Sequence, residues 1–139
     1  MIISATHILY PLFAMVLLVS FVVTLLWTLR NKAIRTRQVS IKYYRDYSGD
    51  EPNYNKVVSR HYSNLFEMPI LFYVGVIVLY VTQHVTLWSV TLAWAYVVCR
   101  YVHTVVHLTG NNVILRFLAF LVSTLILLVM WVLLLIKLI

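Results

Sequence analysis

The sequence holds a single cysteine, Cys99, which rules out a disulfide within the chain and any CxxC redox or metal motif. Charge is equally scarce. Only 11% of the 139 residues are charged, against about 25% in soluble domains, and 63% are hydrophobic, against about 45–50%. That balance excludes a soluble monomer. Acidic residues number four against eleven basic ones, for a formal net charge of +7. Asp, Glu, Lys and Arg are missing altogether from residues 1–29, 68–99 and 117–136, so the apolar excess is spread along the whole length. The first of these runs has no basic n-region and is longer than the usual signal-peptide h-region, so it reads as a retained span. The composition is that of an integral membrane protein.

A hydrocarbon slab about 30 Å thick is crossed by roughly 20 helical residues rising about 1.5 Å each. Residues 5–29 supply one span. The run 68–99 is too long for one span and too short for two, so its ends borrow from flanking residues, and it breaks at its only polar cluster, Thr82-Gln83-His84-Val85-Thr86. The second, third and fourth spans then cover about 58–81, 87–108 and 112–136. Lipid offers no water to unpaired backbone groups, and the solid apolar runs lack β-barrel alternation, so the spans are helices. The predicted fold is an all-α, four-transmembrane-helix bundle forming one membrane domain over residues 1–139.

Residues 30–60 carry Arg30, Lys32, Arg35, Arg37, Lys42, Arg45, Lys56 and Arg60 against Asp46, Asp50 and Glu51, whereas 82–86 carry no formal charge. The positive-inside rule puts the long loop, 30–57, in the cytoplasm and both termini on the opposite side. Its Lys42-Tyr43-Tyr44-Arg45-Asp46-Tyr47 stretch has a composition that suits nucleic acid in other settings. Beside four spans it is expected to meet anionic lipid headgroups, and no nucleic-acid partner is predicted.

The polar side chains that a membrane helix should avoid carry most of the functional information. Arg60, Asn64 and Glu67 recur at i, i+4 and i+7, within about 60° of one another on a continuous helix. Arg100, His103 and His107 follow at i, i+3 and i+7 on the third span, and Arg116 lies near the start of the fourth. The second span starts at the cytoplasmic side, the third ends there and the fourth starts there, so all three sets share one end of the bundle. A charge facing lipid near mid-helix costs about 2.5–3.5 kcal/mol, which predicts that Glu67 and Arg100 pair, within one chain or across a subunit boundary. Helix-to-helix bonding alone would explain one such pair. A binding or catalytic site explains why three arginines, two histidines, Asn64 and Glu67 collect together. His103, His107 and Glu67 could be spaced for a metal, but His7, His61 and His84 are too scattered to add ligands and the arginines oppose a cation, so no metal is predicted. Several arginines with one carboxylate suit a ligand carrying more negative than positive charge.

These segments resemble a known family. Arg60-His61-Tyr62-Ser63-Asn64-Leu65-Phe66-Glu67, followed by Pro69, is similar to the RxxxNxxE…P signature of the membrane-associated proteins in eicosanoid and glutathione metabolism, the MAPEG family. Arg100-Tyr101-Val102-His103-Thr104-Val105-Val106-His107-Leu108 resembles that family's RxxHTxxYL run, with His107 where a tyrosine is usual, and Arg116 stands where its fourth helix opens with an arginine. The resemblance implies a homotrimer of four-helix protomers, with glutathione as co-substrate bound between subunits near the cytoplasmic face and a hydrophobic small-molecule substrate arriving from the bilayer. It implies that Arg60, Asn64 and Glu67 hold the polar ends of glutathione, and that Arg100, His103 and His107 shape the wall. Arg116 would sit near the sulfur as the first catalytic candidate, with Arg30, at the end of the first span, as the second. A thiol of ordinary pKa about 8.5 is activated when a guanidinium in a low-dielectric pocket stabilises its thiolate.

The implied activity is that of a transferase or peroxidase for lipophilic electrophiles. Two other functions compete with it. A non-catalytic lipid- or partner-binding protein of the same fold is favoured by Phe117 and Phe120, one and four positions past Arg116, where the eicosanoid enzymes tend to place hydroxyl or charged groups. A small multidrug-type transporter would also be a short four-helix chain, but its intramembrane Glu belongs in the first helix, which here has no carboxylate.

Overall fold

The computed structural model describes residues 4–139. A 3₁₀ turn, Ala5–Ile8, leads into α1 (Leu9–Arg35), followed by a single helical turn, α2 (Tyr43–Asp46), and α3 (Asn53–Asn64). Then come α4 (Met68–Val81), α5 (Leu87–Leu108) and α6 (Val113–Leu138). Among the described residues, four segments are long and apolar enough to cross a membrane: Ala5–Arg35, Asn53–Val81, Leu87–Leu108 and Val113–Leu138. The multi-pass, all-helical architecture is therefore as predicted.

α5 keeps its predicted bounds, and α6 starts one residue late because Asn112 serves as its cap, its side chain accepting from the amides of Ile114 and Leu115. The break between α4 and α5 falls on the predicted polar cluster. Gln83 takes a left-handed φ of 58° there, and Thr86 and Ser89 form a capping box that starts α5. The basic loop is shorter than predicted, because α1 continues to Arg35 and α3 begins at Asn53. Hydropathy marks where a helix leaves the hydrocarbon, not where its hydrogen bonding stops, and Ala33, buried past the predicted end, gives α1 packing to continue for.

The second span is broken, not kinked. α3 stops at Asn64, Glu67 has φ −97° and ψ −98°, and α4 begins at Met68 with Pro69 in its first turn. Proline has no N–H and its ring clashes with the carbonyl four residues back, here Leu65. The helix therefore ends ahead of that position and restarts where proline is tolerated.

The core lies along one stripe of each span: Met15, Leu18, Val22 and Leu26 on α1, Phe72, Val76 and Leu79 on α4, Ala93, Tyr96 and Val97 on α5, and Leu127, Met130 and Leu134 on α6. Phe72 and Tyr96 stack with ring centroids 4.5 Å apart. Gly75 lets α4 approach α6, since a Cβ there would lie 3.1 Å from Met130 Cε and 3.4 Å from the Trp131 ring. Trp131 Nε1 donates to the Leu71 carbonyl at 3.2 Å, and the Tyr101 hydroxyl donates to the Ala14 carbonyl at 2.8 Å, tying α6 to α4 and α5 to α1. The opposite faces, with residues such as Leu17, Trp27, Val105 and Leu128, are apolar and exposed, as lipid or a neighbouring subunit requires.

Candidate functional site

The break in the second span shapes the site. In a continuous helix the Asn64 carbonyl would accept from the amide of Met68. Here Arg100 Nη2 donates to that carbonyl at 3.1 Å. Arg100 is fully buried, with its guanidinium 5.9 Å from the centre of the Phe120 ring. The predicted Glu67–Arg100 pair is absent within the chain: Glu67 lies exposed in the broken segment, and the ion pairs among the described residues join Arg45 to Asp46 and Lys56 to Asp50. A freed backbone carbonyl has taken the place of the carboxylate.

In front of Arg100 lies a cleft of about 500 Å³. Arg60, Ser63, Asn64 and Glu67 line it from the second span, His103 and His107 from α5, and Val113, Arg116, Phe117 and Phe120 from α6. Six of the eight site residues predicted from sequence therefore share one space. The other two do not. Arg100 stands behind the wall, and Arg30 points to the loop side, where Nη2 donates to Ser59 Oγ at 3.3 Å and the guanidinium lies 5.1 Å from the Tyr44 ring centre and 5.7 Å from that of Tyr47.

Arg116 is held by the turn between α5 and α6. Asn111 adopts a left-handed φ of 45°, a conformation asparagine tolerates, and its amide closes α5 by donating to the Val106 carbonyl at 2.8 Å. Its side-chain oxygen accepts from Arg116 Nη1 at 2.9 Å, and His107 Nε2 accepts from the same nitrogen at a long 3.4 Å. Arg116 Nε and Nη2 bond no described residue and are available to a ligand. His103 Nδ1 donates to the Arg116 carbonyl at 3.0 Å, so α5 fixes both the backbone and the side chain of this arginine.

His61, set aside from sequence as too distant from the other histidines, is fully buried behind the cleft. Its ring stacks 5.6 Å from that of His103 and lies 4.9 Å from that of His107. The Thr104 hydroxyl donates to the Arg100 carbonyl at 2.8 Å, so its oxygen accepts from His61 Nε2 at 3.0 Å. The signal for this placement was the period Val58 and His61 on α3 and Leu65 just past its end, all buried and one residue out of phase with the polar stripe. No group of three or more His, Cys, Asp or Glu among the described residues is arranged to hold a metal ion. Ser63, Val113, Phe117 and Phe120 were also not predicted as lining residues. They fall on the cleft through the rotation of α3 and α6, which periodicity within one helix does not set.

Outside the spans, Asp50 accepts a 2.7 Å bond from Lys56 Nζ, which holds its carboxyl below the usual range. Tyr43, Tyr44 and Tyr47 pack edge to face beside Arg30, forming a compact aromatic cluster on the basic loop.

The arrangement offers an anion two guanidiniums, from Arg60 and Arg116, beside one carboxylate, with a wall of Val113, Phe117 and Phe120 for an apolar group. Searches of curated proteins and of solved structures found no match. Residues 8–136 match the MAPEG family. With its four spans and nearly its whole length covered by that match, the chain belongs to the MAPEG family.

Proposed function

We propose that this protein is a glutathione-dependent membrane enzyme, a transferase or peroxidase acting on lipophilic electrophiles, working as a homotrimer with glutathione between subunits on the cytoplasmic side. The observation that carries the reading is the shared cleft: Arg60, Asn64, Glu67, His103, His107 and Arg116 line one volume of about 500 Å³ whose remaining wall is Ser63, Val113, Phe117 and Phe120. Glutathione has two carboxylates and one ammonium group, matched in sign by Arg60 and Arg116 on one hand and Glu67 on the other. The size lies within the range of about 300–1,000 Å³ that small-molecule sites occupy.

Arg116 is the residue assigned to the sulfur. Asn111 and His107 engage one of its terminal nitrogens and leave the rest of the guanidinium to stabilise a thiolate. In the transferase reaction the thiol proton leaves to water, the sulfur forms a bond to the electrophilic carbon, and the displaced group departs with the bonding electrons. Arg30 lies outside the cleft, against Ser59 and the tyrosine cluster, and has no part in this scheme.

The test uses detergent-purified protein. Glutathione at millimolar concentration raises the unfolding temperature, and Arg116→Ala removes conjugation of a lipophilic electrophile, or reduction of a lipid hydroperoxide, while oligomer mass is unchanged. Absence of stabilisation by glutathione refutes the reading.

A further inference from the structure

A second cavity lies at the other end of the bundle, about 340 Å³ in volume, between the end of α4, the start of α5 and the end of α6. Its inner wall is apolar, made by Leu79, Leu92, Met130 and Leu133. Its rim carries His84 and Lys137, together with Thr86 and Ser89, whose hydroxyls are engaged in the α5 capping box. His84 and Lys137 are therefore the polar groups free to meet an occupant. Lys137 is also the only Lys or Arg at this end of the chain, whose other cations lie at residues 30–60, 100 and 116.

Depth in the bilayer follows from Trp88. The residue is 73% exposed at the start of α5, the place where an indole settles at headgroup level. The rim of the cavity is therefore level with headgroups, and its apolar wall runs inward along the hydrocarbon. Its inner wall gives water too few polar partners to hold it. An acyl chain fills it without desolvating anything, and a negative headgroup meets Lys137 at the rim.

We propose that this cavity is a binding site for an anionic phospholipid, one acyl chain lying against Leu79, Leu92, Met130 and Leu133 and the phosphodiester facing Lys137 and His84. The site is separate from the cleft at the opposite end and does not depend on any reaction there.

The protein purified in mild detergent is exchanged with phosphatidylglycerol or phosphatidylcholine and examined by native mass spectrometry. Phosphatidylglycerol is retained about fivefold more than phosphatidylcholine, the discrimination that one basic side chain near a headgroup supplies. Lys137→Gln loses that preference but still retains one chain of either lipid, while Leu92→Trp, which fills the cavity, retains neither. The helical circular-dichroism signal and unfolding temperature are the control for folding and are the same in both variants. An unchanged preference in Lys137→Gln, or lipid retained by Leu92→Trp, overturns the proposal. So does a change of oligomer mass in Leu92→Trp with lipid retention intact, which assigns the cavity to a subunit contact.

Discussion

The bond between Arg100 and the Asn64 carbonyl is the structural event that distinguishes this second span from a continuous helix, and it can be measured. Replacing Arg100 by Met removes every donor while keeping an unbranched apolar stem. The single substitution mixes two opposing effects. A hydrogen bond from a charged group contributes about 1.5–3 kcal/mol, and losing it leaves a buried carbonyl unpaired. Removing a buried guanidinium that has no carboxylate partner gives some of that back. A double-mutant cycle with Pro69→Ala separates them. Alanine at 69 lets the helix close through residues 65–67, so the Asn64 carbonyl takes the Met68 amide and no longer needs Arg100. The relief of burying charge is common to both backgrounds, and the difference between the two Arg100→Met values isolates the bond. Reversible unfolding in mixed detergent micelles should give a coupling energy of about 1.5–3 kcal/mol, at least tenfold in the unfolding equilibrium. A coupling below about 0.5 kcal/mol, the usual additivity error, means that Arg100 is not held by the break and the reasoning fails.

Gly75→Val should destabilise by about 1–3 kcal/mol through overpacking against Met130 and Trp131, and a neutral result in the same unfolding assay would deny the close approach of α4 and α6. Asn111→Gly suits the φ of 45° and removes only the side-chain bond to Arg116, so under the proposed function kcat for glutathione conjugation should fall about tenfold or more while the unfolding temperature holds. Wild-type kcat in that variant would show that Asn111 does not position the guanidinium. Because the Asp50 carboxyl is held below its ordinary range by Lys56, its contribution to loop stability is complete at neutral pH and is lost as acid brings the pH down through the lowered value. An NMR titration should return Asp50 to the ordinary carboxylate range in Lys56→Gln, and a midpoint that does not move would place the cause elsewhere.

Much of the molecule was legible before any coordinates, for a simple reason. The transfer of about 20 apolar residues into hydrocarbon, and the penalty on every charge left there, act on composition within each segment and need no knowledge of neighbours. That is why α5 and the polar break after α4 were found where they are, and why Arg60, Asn64, Glu67, His103, His107 and Arg116 could be assigned to one end of the bundle. The helix ends in the loop were misjudged because Asn31, Lys32 and Arg35 are polar without being helix breakers, and the same hydropathy signal cannot tell a loop from a helix that has left the membrane.

What only the tertiary structure decided is which way the polar groups turn. Pro69 interrupts the phase that related Asn64 to Glu67, so a backbone carbonyl and not the carboxylate becomes the partner of Arg100. His61 joins His103 and His107, and Arg30 leaves for the tyrosine cluster, because the rotation of each helix about its axis is set by packing against the others. Hydropathy along a single chain determines depth in the membrane. Direction around each helix axis is a property of the assembled bundle, where one residue out of phase separates a side chain in the cleft from one behind it.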